Sequence, residues 1–153
     1  MVQKTTPASH RAAVVGVIDP DVTAAGTVTT GWIPMSKFGL IMATVMAGTL
    51  GSSATVNAKL EQATDASGSG AKDIAGAAIT ELSQGGTDDS DKQAVIQCYG
   101  EDLDLANNFT HVRLSVTVAT ASCDLGALVI CMDPRYGPAS DNDLASVAEI
   151  VTV

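Results

Sequence analysis

Two segments of the chain alternate between apolar and polar residues at every second position, residues 54–62 (ATVNAKLEQ) and residues 110–119 (THVRLSVTVA). The apolar positions are Val56, Ala58, Leu60, Val112, Leu114, Val116 and Val118. Successive side chains of a β-strand point to opposite faces, so a period of two predicts a strand with one buried face. We therefore predict two half-buried strands, the second with Arg113, Ser115 and Thr117 facing outwards.

Two other segments are apolar at nearly every position: residues 38–47 (FGLIMATVMA) and residues 125–132 (LGALVICM). Gly39 and the β-branched residues of the first run favour a strand over a helix. A strand that is apolar on both faces is typical of the middle of a sheet. We expect the first run to be a central strand covered on both sides, and the second to be another, nearly continuous apolar strand.

The remaining apolar runs are shorter and are separated by glycine-, serine- and aspartate-rich loops. They lie at residues 14–18, which end at Asp19-Pro20, at residues 26–33, 74–82 and 92–99. Repeated short strands with turn signals between them predict an all-β protein. The expected fold is an antiparallel β-sandwich, jelly-roll-like, with about eight strands.

The two ends of the chain differ from this predicted body, which spans residues 14–132. Residues 1–13 are polar, contain Pro7 and are expected to form an N-terminal arm. Residues 133–153 begin with the chain breakers Pro134, Gly137 and Pro138 and end in an apolar tip. This last stretch is either an arm that docks on a partner or a final strand of the same sheet. As a partner interface we predict Pro134, Arg135, Tyr136, Leu144, Val147, Ile150 and Val151.

Composition and charge narrow the function classes. The chain has 153 residues, enough for one domain with a single core. Eight basic residues against seventeen acidic ones give a net charge of −9. Nucleic-acid binding normally requires a basic patch, and only Lys4, His10 and Arg11 cluster here, so no nucleic-acid partner is expected. An acidic protein suits docking on a surface with exposed lysine and arginine, or simply has a solvated acidic face.

The residues that carry chemistry are few and scattered. Three cysteines, Cys98, Cys123 and Cys131, form no C-x-x-C pair, so no metal site is expected. Cys98 and Cys131 lie in apolar runs and are expected as buried thiols. His111 falls on the polar face of its strand and lacks an evident nucleophile. We predict no catalytic residues and no cofactor, and we interpret the acidic run that contains Asp88 as a surface turn. Trp32 is interpreted as a core or interface residue.

No apolar run is long enough to cross a membrane, and the N-terminus lacks the apolar region of a signal peptide. We therefore expect neither a membrane partner nor export, and synthesis in a reducing cytoplasm.

Residues 26–138 resemble a known family. The pieces that carry the likeness are GTVTTGWIPMSKF, MAGTLGSSATVNAKLEQATD, DIAGAAITEL, DDSDKQAVIQC, EDLDL and THVRLSVTVATASCDLGALVICMDPRYGP. This order of features resembles small virion proteins of tailed bacteriophages and phage-like particles, which include capsid decoration (cement) proteins and head-spike or head-fibre base proteins. The resemblance implies a β-sandwich that assembles with copies of itself, binds the capsid exterior and carries no catalytic residues.

The function predicted from this likeness is that of a cement protein that bridges major-capsid-protein subunits on the outside of the virion. By analogy with such proteins it would be a homotrimer, made in the host cytoplasm. A head-spike or fibre base, or a neck or tail component, is the alternative within the virion. A carbohydrate-binding module is the alternative from another class.

Overall fold

The structure is a computed structural model that describes residues 6–153. Ten strands dominate it: β1 (Ala12–Thr23), β2 (Gly26–Thr29), β3 (Ile33–Pro34), β4 (Phe38–Leu50), β5 (Thr55–Ala63), β6 (Lys72–Ala78), β7 (Leu82–Ser83), β8 (Gln93–Tyr99), β9 (His111–Ala119) and β10 (Cys123–Pro134). The helical elements are short: a four-residue helix α1 (Ala8–Arg11) and 3₁₀ turns at Met35–Lys37, Gly100–Asp102, Leu105–Asn107 and Ala139–Asn142.

The strands form two antiparallel sheets. Sheet A has the order β1-β10-β4-β8, and sheet B has the order β2-β9-β5-β6, with β3 beside β9 and β7 beside β5. Apart from the two-residue strands β3 and β7, the pairs are nested: β1 with β10, β2 with β9, β4 with β8, and β5 with β6. These pairs alternate between the two sheets, as in a jelly roll. The predicted all-β, jelly-roll-like antiparallel sandwich is confirmed.

The core lies between the two sheets and is built from alternate residues of the longer strands. Val45, Val56, Leu60, Leu114 and Val129 are completely buried there. The period of two therefore predicted the inward faces of β5 and β9 correctly. Ser115, expected outside, is on the outer face of β9 but is itself buried. Small side chains dominate this core, so each contributes little buried area and many are needed.

The predicted stop of the first strand at Asp19-Pro20 is wrong. Strand β1 continues to Thr23, and its pairing with β10 shifts register between Ile18 and Asp21. Proline lacks a backbone N–H and is tolerated on edge strands and at bulges, and β1 is the edge of sheet A. Gly126 on β10 makes room for the ring, since a Cβ on that residue would lie 3.0 Å from Cα and Cβ of Pro20.

The expectation that the strand at residues 38–47 is covered on both sides is also wrong. Strand β4 is central in sheet A, but only alternate residues such as Ile41, Ala43 and Val45 are buried. Met42 on the other face is partly exposed, and Met46 is exposed. The strand at residues 26–33 is interrupted: β2 ends at Thr29 and β3 begins at Ile33.

Helix α1 and the 3₁₀ turn Ala139–Asn142 both lie near β1. Helix α1 directly precedes β1, and residues 1–5 of the predicted N-terminal arm lie outside the described residues. After β10 the chain forms the 3₁₀ turn Ala139–Asn142, in which Ala139 is completely buried, and residues 143–153 form no strand.

Candidate functional site

The outer face of sheet A is mostly apolar. In rows across β1, β10, β4 and β8, the register places on it Ala12, Met132, Leu40 and Tyr99; Val14, Ile130, Met42 and Gln97; Val17, Leu128, Thr44 and Val95; and Gly126, Met46 and Gln93. We call these residues the apolar face. None of them carries a formal charge, and the largest side chains are partly or largely exposed. Exposed apolar patches of this kind mark interaction sites.

The sequence builds this face because β4 and β10 are apolar on both sides. One side of each strand enters the core, and the other side lies on the apolar face. The continuous apolar runs were therefore a signal for this surface as well as for the core. The expectation of cover on both sides missed it.

A groove lies at one end of the apolar face, where the chain forms a depression of about 490 Å³. Pro20, Val22 and Met46 line it with apolar surface, and Gly48 and Gly126 contribute backbone without side chains. A Cβ on Gly48 would lie 3.0 Å from Cβ of Asp124, so the close approach of β4 and β10 favours glycine there.

The ends of two strands bring carboxylates to the same groove. Val22 pairs with Asp124 across β1 and β10, and Asp21 precedes Val22. Asp21 and Asp124 are both exposed and both line the depression. The Oδ1 atom of Asp21 accepts a 2.7 Å hydrogen bond from the N–H of Val22, which fixes the carboxylate at the rim.

The outer face of sheet B has the opposite character. Arg113 Nε on β9 donates a 2.7 Å hydrogen bond to Glu61 Oε2 on β5, and Lys59 Nζ lies 2.7 Å from Asp73 Oδ1 on β6. The hydrogen bond from Lys59 to Asp73 raises the pKa of the lysine above its usual value. The charges of this face are thus satisfied within the chain.

Trp32 contributes to the same polar layer. The Arg113 guanidinium lies over the indole ring, 4.5 Å from its centroid, a favourable cation–π contact. On the loop between β5 and β6, a Cβ on Gly68 would lie 2.5 Å from the indole Nε1, so the backbone passes directly against the ring. Gly68 has φ +84°, a conformation that favours glycine. The tryptophan is therefore held by contacts of its own chain.

The aspartates between β7 and β8 form hydrogen bonds within their own loop. Asp88 Oδ1 accepts hydrogen bonds from the backbone N–H and the hydroxyl of Ser90, and Asp89 Oδ1 accepts one from Lys92 Nζ at 2.6 Å. These hydrogen bonds lower the pKa values of both carboxyl groups. Asp88 is exposed on a turn, as the sequence predicted.

Three of the predicted interface residues lie at the end of β10 and in the loop that follows it. Pro134 ends the strand, and the backbone N–H of Arg135 donates a 2.9 Å hydrogen bond to the carbonyl of Lys37. Tyr136 follows and is 83% exposed.

The other four lie in the C-terminal segment, residues 143–153. Leu144 is half-buried, and its N–H donates a 2.9 Å hydrogen bond to the carbonyl of Val14 on β1. Val147 is also half-buried, whereas Ile150 is 50% and Val151 75% exposed. The segment is thus attached to sheet A at its start and presents apolar side chains to solvent at its end.

The side chains that could take part in chemical reactions are held in structural contacts. His111 Nδ1 lies 3.0 Å from Thr110 Oγ1. The three cysteines are buried free thiols, as predicted for Cys98 and Cys131, and burial raises the pKa of Cys98 to about 11 and that of Cys131 to about 12. Within residues 6–153, no group of three potential metal ligands comes together. The helices of that range are all too short to cross a membrane.

No protein-family profile matches the chain, and no curated protein sequence matches it. A structure of the infectious bursal disease virus Gt strain is similar over 85% of this chain and 34% of that chain, with 13% identity and a TM-score of 0.47. This chain thus spans about a third of that one.

In two other virus structures, the match covers most of the other chain. An empty virus-like particle of Cowpea Mosaic Virus matches over 88% of this chain and 86% of that chain, with 13% identity and a TM-score of 0.44. Broad Bean Stain Virus matches over 88% and 91%, with 12% identity and a TM-score of 0.43.

Proposed function

We propose that the protein is a virion structural protein that binds the outside of a capsid and stabilises the shell by bridging major-capsid-protein subunits, as cement proteins do. The observation that carries this proposal is the contrast between the two outer faces of the sandwich. One is apolar and partly exposed, whereas the other is polar and neutralises its own charges. A subunit fixed to a surface through one side and facing water on the other needs this division.

The charge of the protein supports a place on the exterior of the shell. Its net charge is −9, whereas a protein that contacts the packaged genome needs basic surface. Of the basic residues in the described chain, Lys59, Lys72, Lys92 and Arg113 form salt bridges with carboxylates of the same chain. Little positive charge is therefore left for phosphate groups.

The resemblance of residues 26–138 to small virion proteins of tailed phages supports the same class. By that analogy the chain assembles as a homotrimer and is made in the host cytoplasm before it joins the virion. The C-terminal segment and the Arg135–Tyr136 loop then form a second contact with the capsid or with a neighbouring copy. This part of the proposal rests on their exposed side chains.

A cryo-EM reconstruction of the purified particle, with this chain located in the density, tests the proposal. We expect density over the lattice at threefold or quasi-threefold positions, with sheet A towards the shell. Density restricted to vertices or to the neck would instead assign the chain to a spike base or a connector. A chain that is absent from the particle would overturn the virion role. A glycan-array screen would then test carbohydrate binding.

A further inference from the structure

We propose that the groove at the Val22 end of the apolar face binds an apolar side chain that the capsid partner carries next to a lysine or arginine. This inference rests on the proposed function and adds to it the chemistry of the contact. It follows from the shape of the groove and from the charges at its rim.

The shape of the groove suits a protruding apolar side chain. Val22 is 65% and Met46 47% exposed, and they line the same depression with Pro20. Gly48 and Gly126 also line the depression, and Asp124 and Pro20 pack closely against them. An inserted side chain would remove apolar surface of Val22, Met46 and Pro20 from water at once, which is the arrangement found at binding hot spots.

The rim selects the charge of the partner. Asp21 and Asp124 line the groove together with Pro20, Val22 and Met46, and no basic residue is among the lining residues. Within the described chain, neither carboxylate forms a salt bridge with a lysine or arginine of the same chain. A lysine or arginine beside the inserted side chain would complement both.

The same charges disfavour the chain's own surfaces as occupants. The C-terminal segment carries Glu149, and a second copy of the protein brings a net charge of −9. Like charges brought together in an interface repel each other, so a basic partner is favoured over a second copy.

The test is binding of the purified protein to capsid particles produced without this chain, measured at two salt concentrations. We expect Val22→Glu and Met46→Glu each to weaken binding about tenfold or more, because they place an acidic group in an acidic apolar groove. Asp21→Asn and Asp124→Asn should each weaken it about two- to fivefold and reduce its sensitivity to salt. All four positions are exposed, so the variants should melt as the wild type does.

Two control variants make the same charge changes elsewhere. Thr29→Glu adds an acidic group to an exposed position of edge strand β2, and Glu101→Gln removes one from the turn after β8. Both should bind as the wild type does. If all four groove variants bind as the wild type does, the groove is not the binding site, and the proposed function is unaffected. A wild type that does not bind the particles at all would overturn both.

Sedimentation of the isolated protein tests whether a second copy of the chain occupies the groove. A wild type that self-associates, and that Val22→Glu converts to monomers, would show that a second copy occupies the groove. That result would overturn the proposal that a basic capsid partner binds there.

Discussion

Asp143 Oδ1 accepts a 2.7 Å hydrogen bond from the backbone N–H of Val14, a residue 129 positions earlier in the chain. The next residue, Leu144, donates its N–H to the carbonyl of Val14. Both backbone groups of Val14 therefore bond to the C-terminal segment at an edge of sheet A. The contact satisfies groups that an edge strand otherwise exposes.

Replacing Asp143 with alanine should weaken this anchor. The Val14 N–H is only partly accessible to water, and a hydrogen bond to a charged group contributes about 1.5–3 kcal/mol. We expect Asp143→Ala to lower the free energy of unfolding by about 1–2 kcal/mol, measured by urea denaturation. Limited proteolysis should also cleave the variant within residues 144–153 faster than the wild type.

Asp141→Ala is the matched control for this experiment. Asp141 lies two residues earlier, on an exposed position of the 3₁₀ turn. It should change neither stability nor the rate of cleavage. Equal effects of the two variants would contradict a specific role for the Asp143–Val14 contact.

Deletion of residues 144–153 tests the C-terminal segment as a docking arm. The truncated chain keeps Asp143 and all ten strands, and it loses mainly exposed residues such as Ile150 and Val151. We expect the melting temperature to fall by only a few degrees and the attachment to the particle to be lost, as measured by co-sedimentation. A collapse of the melting temperature would show instead that the segment belongs to the body of the fold.

Acid should destabilise the protein through its hydrogen-bonded aspartates. The hydrogen bond from Lys72 lowers the pKa of Asp104 below the ordinary value of 3.8, and Asn107 adds to the effect. The pKa of Asp65 is lowered by hydrogen bonds from Ser69. Since these folded-state values lie below the unfolded value, the stabilisation is present above pH 3.8 and is lost as the pH falls through the folded-state values.

Urea denaturation at pH 6 and at pH 3 measures this loss. Asp104→Asn should be less stable than the wild type at pH 6 and should lose less stability between the two pH values. An equal loss in both proteins would exclude Asp104 as a source of the acid sensitivity.

The three cysteines should be unreactive in the native protein. Burial raises the pKa of Cys98 to about 11 and that of Cys131 to about 12, so little thiolate exists near pH 8, and Cys123 is buried as well. We expect less than one thiol to react with a disulfide reagent at pH 8, and all three to react in denaturant. Rapid reaction of the native protein would show that the sandwich opens locally.

The fold class was predictable because the residues that face the core recur at every second position of the sequence in β5 and β9. In β5 and β9, each apolar residue of the alternation enters the core. The path of β1 was not predictable in the same way. Pro20 ends a strand in most contexts, and only the edge position of β1 and the missing side chain of Gly126 allow the strand to continue past it.

The apolar face was less accessible to sequence reasoning than the core. The apolar runs of β4 and β10 indicate burial on both sides, but they do not say whether the second cover comes from the same chain. The groove depends on register as well. Val22 and Asp124 are far apart in the sequence and meet only because β1 and β10 pair as they do.

Strand β10 lies between β1 and β4 at the centre of sheet A, although it is the last strand to be synthesised. Until Pro134 has left the ribosome, β1 has no neighbour in its sheet, and β4 has only β8. Such non-local pairing makes folding slow, because distant segments must meet before their contacts can stabilise the chain. The nascent protein therefore completes its sandwich only after β10 has been synthesised, and a chain truncated before residue 123 leaves the facing edges of β1 and β4 unprotected in the cell.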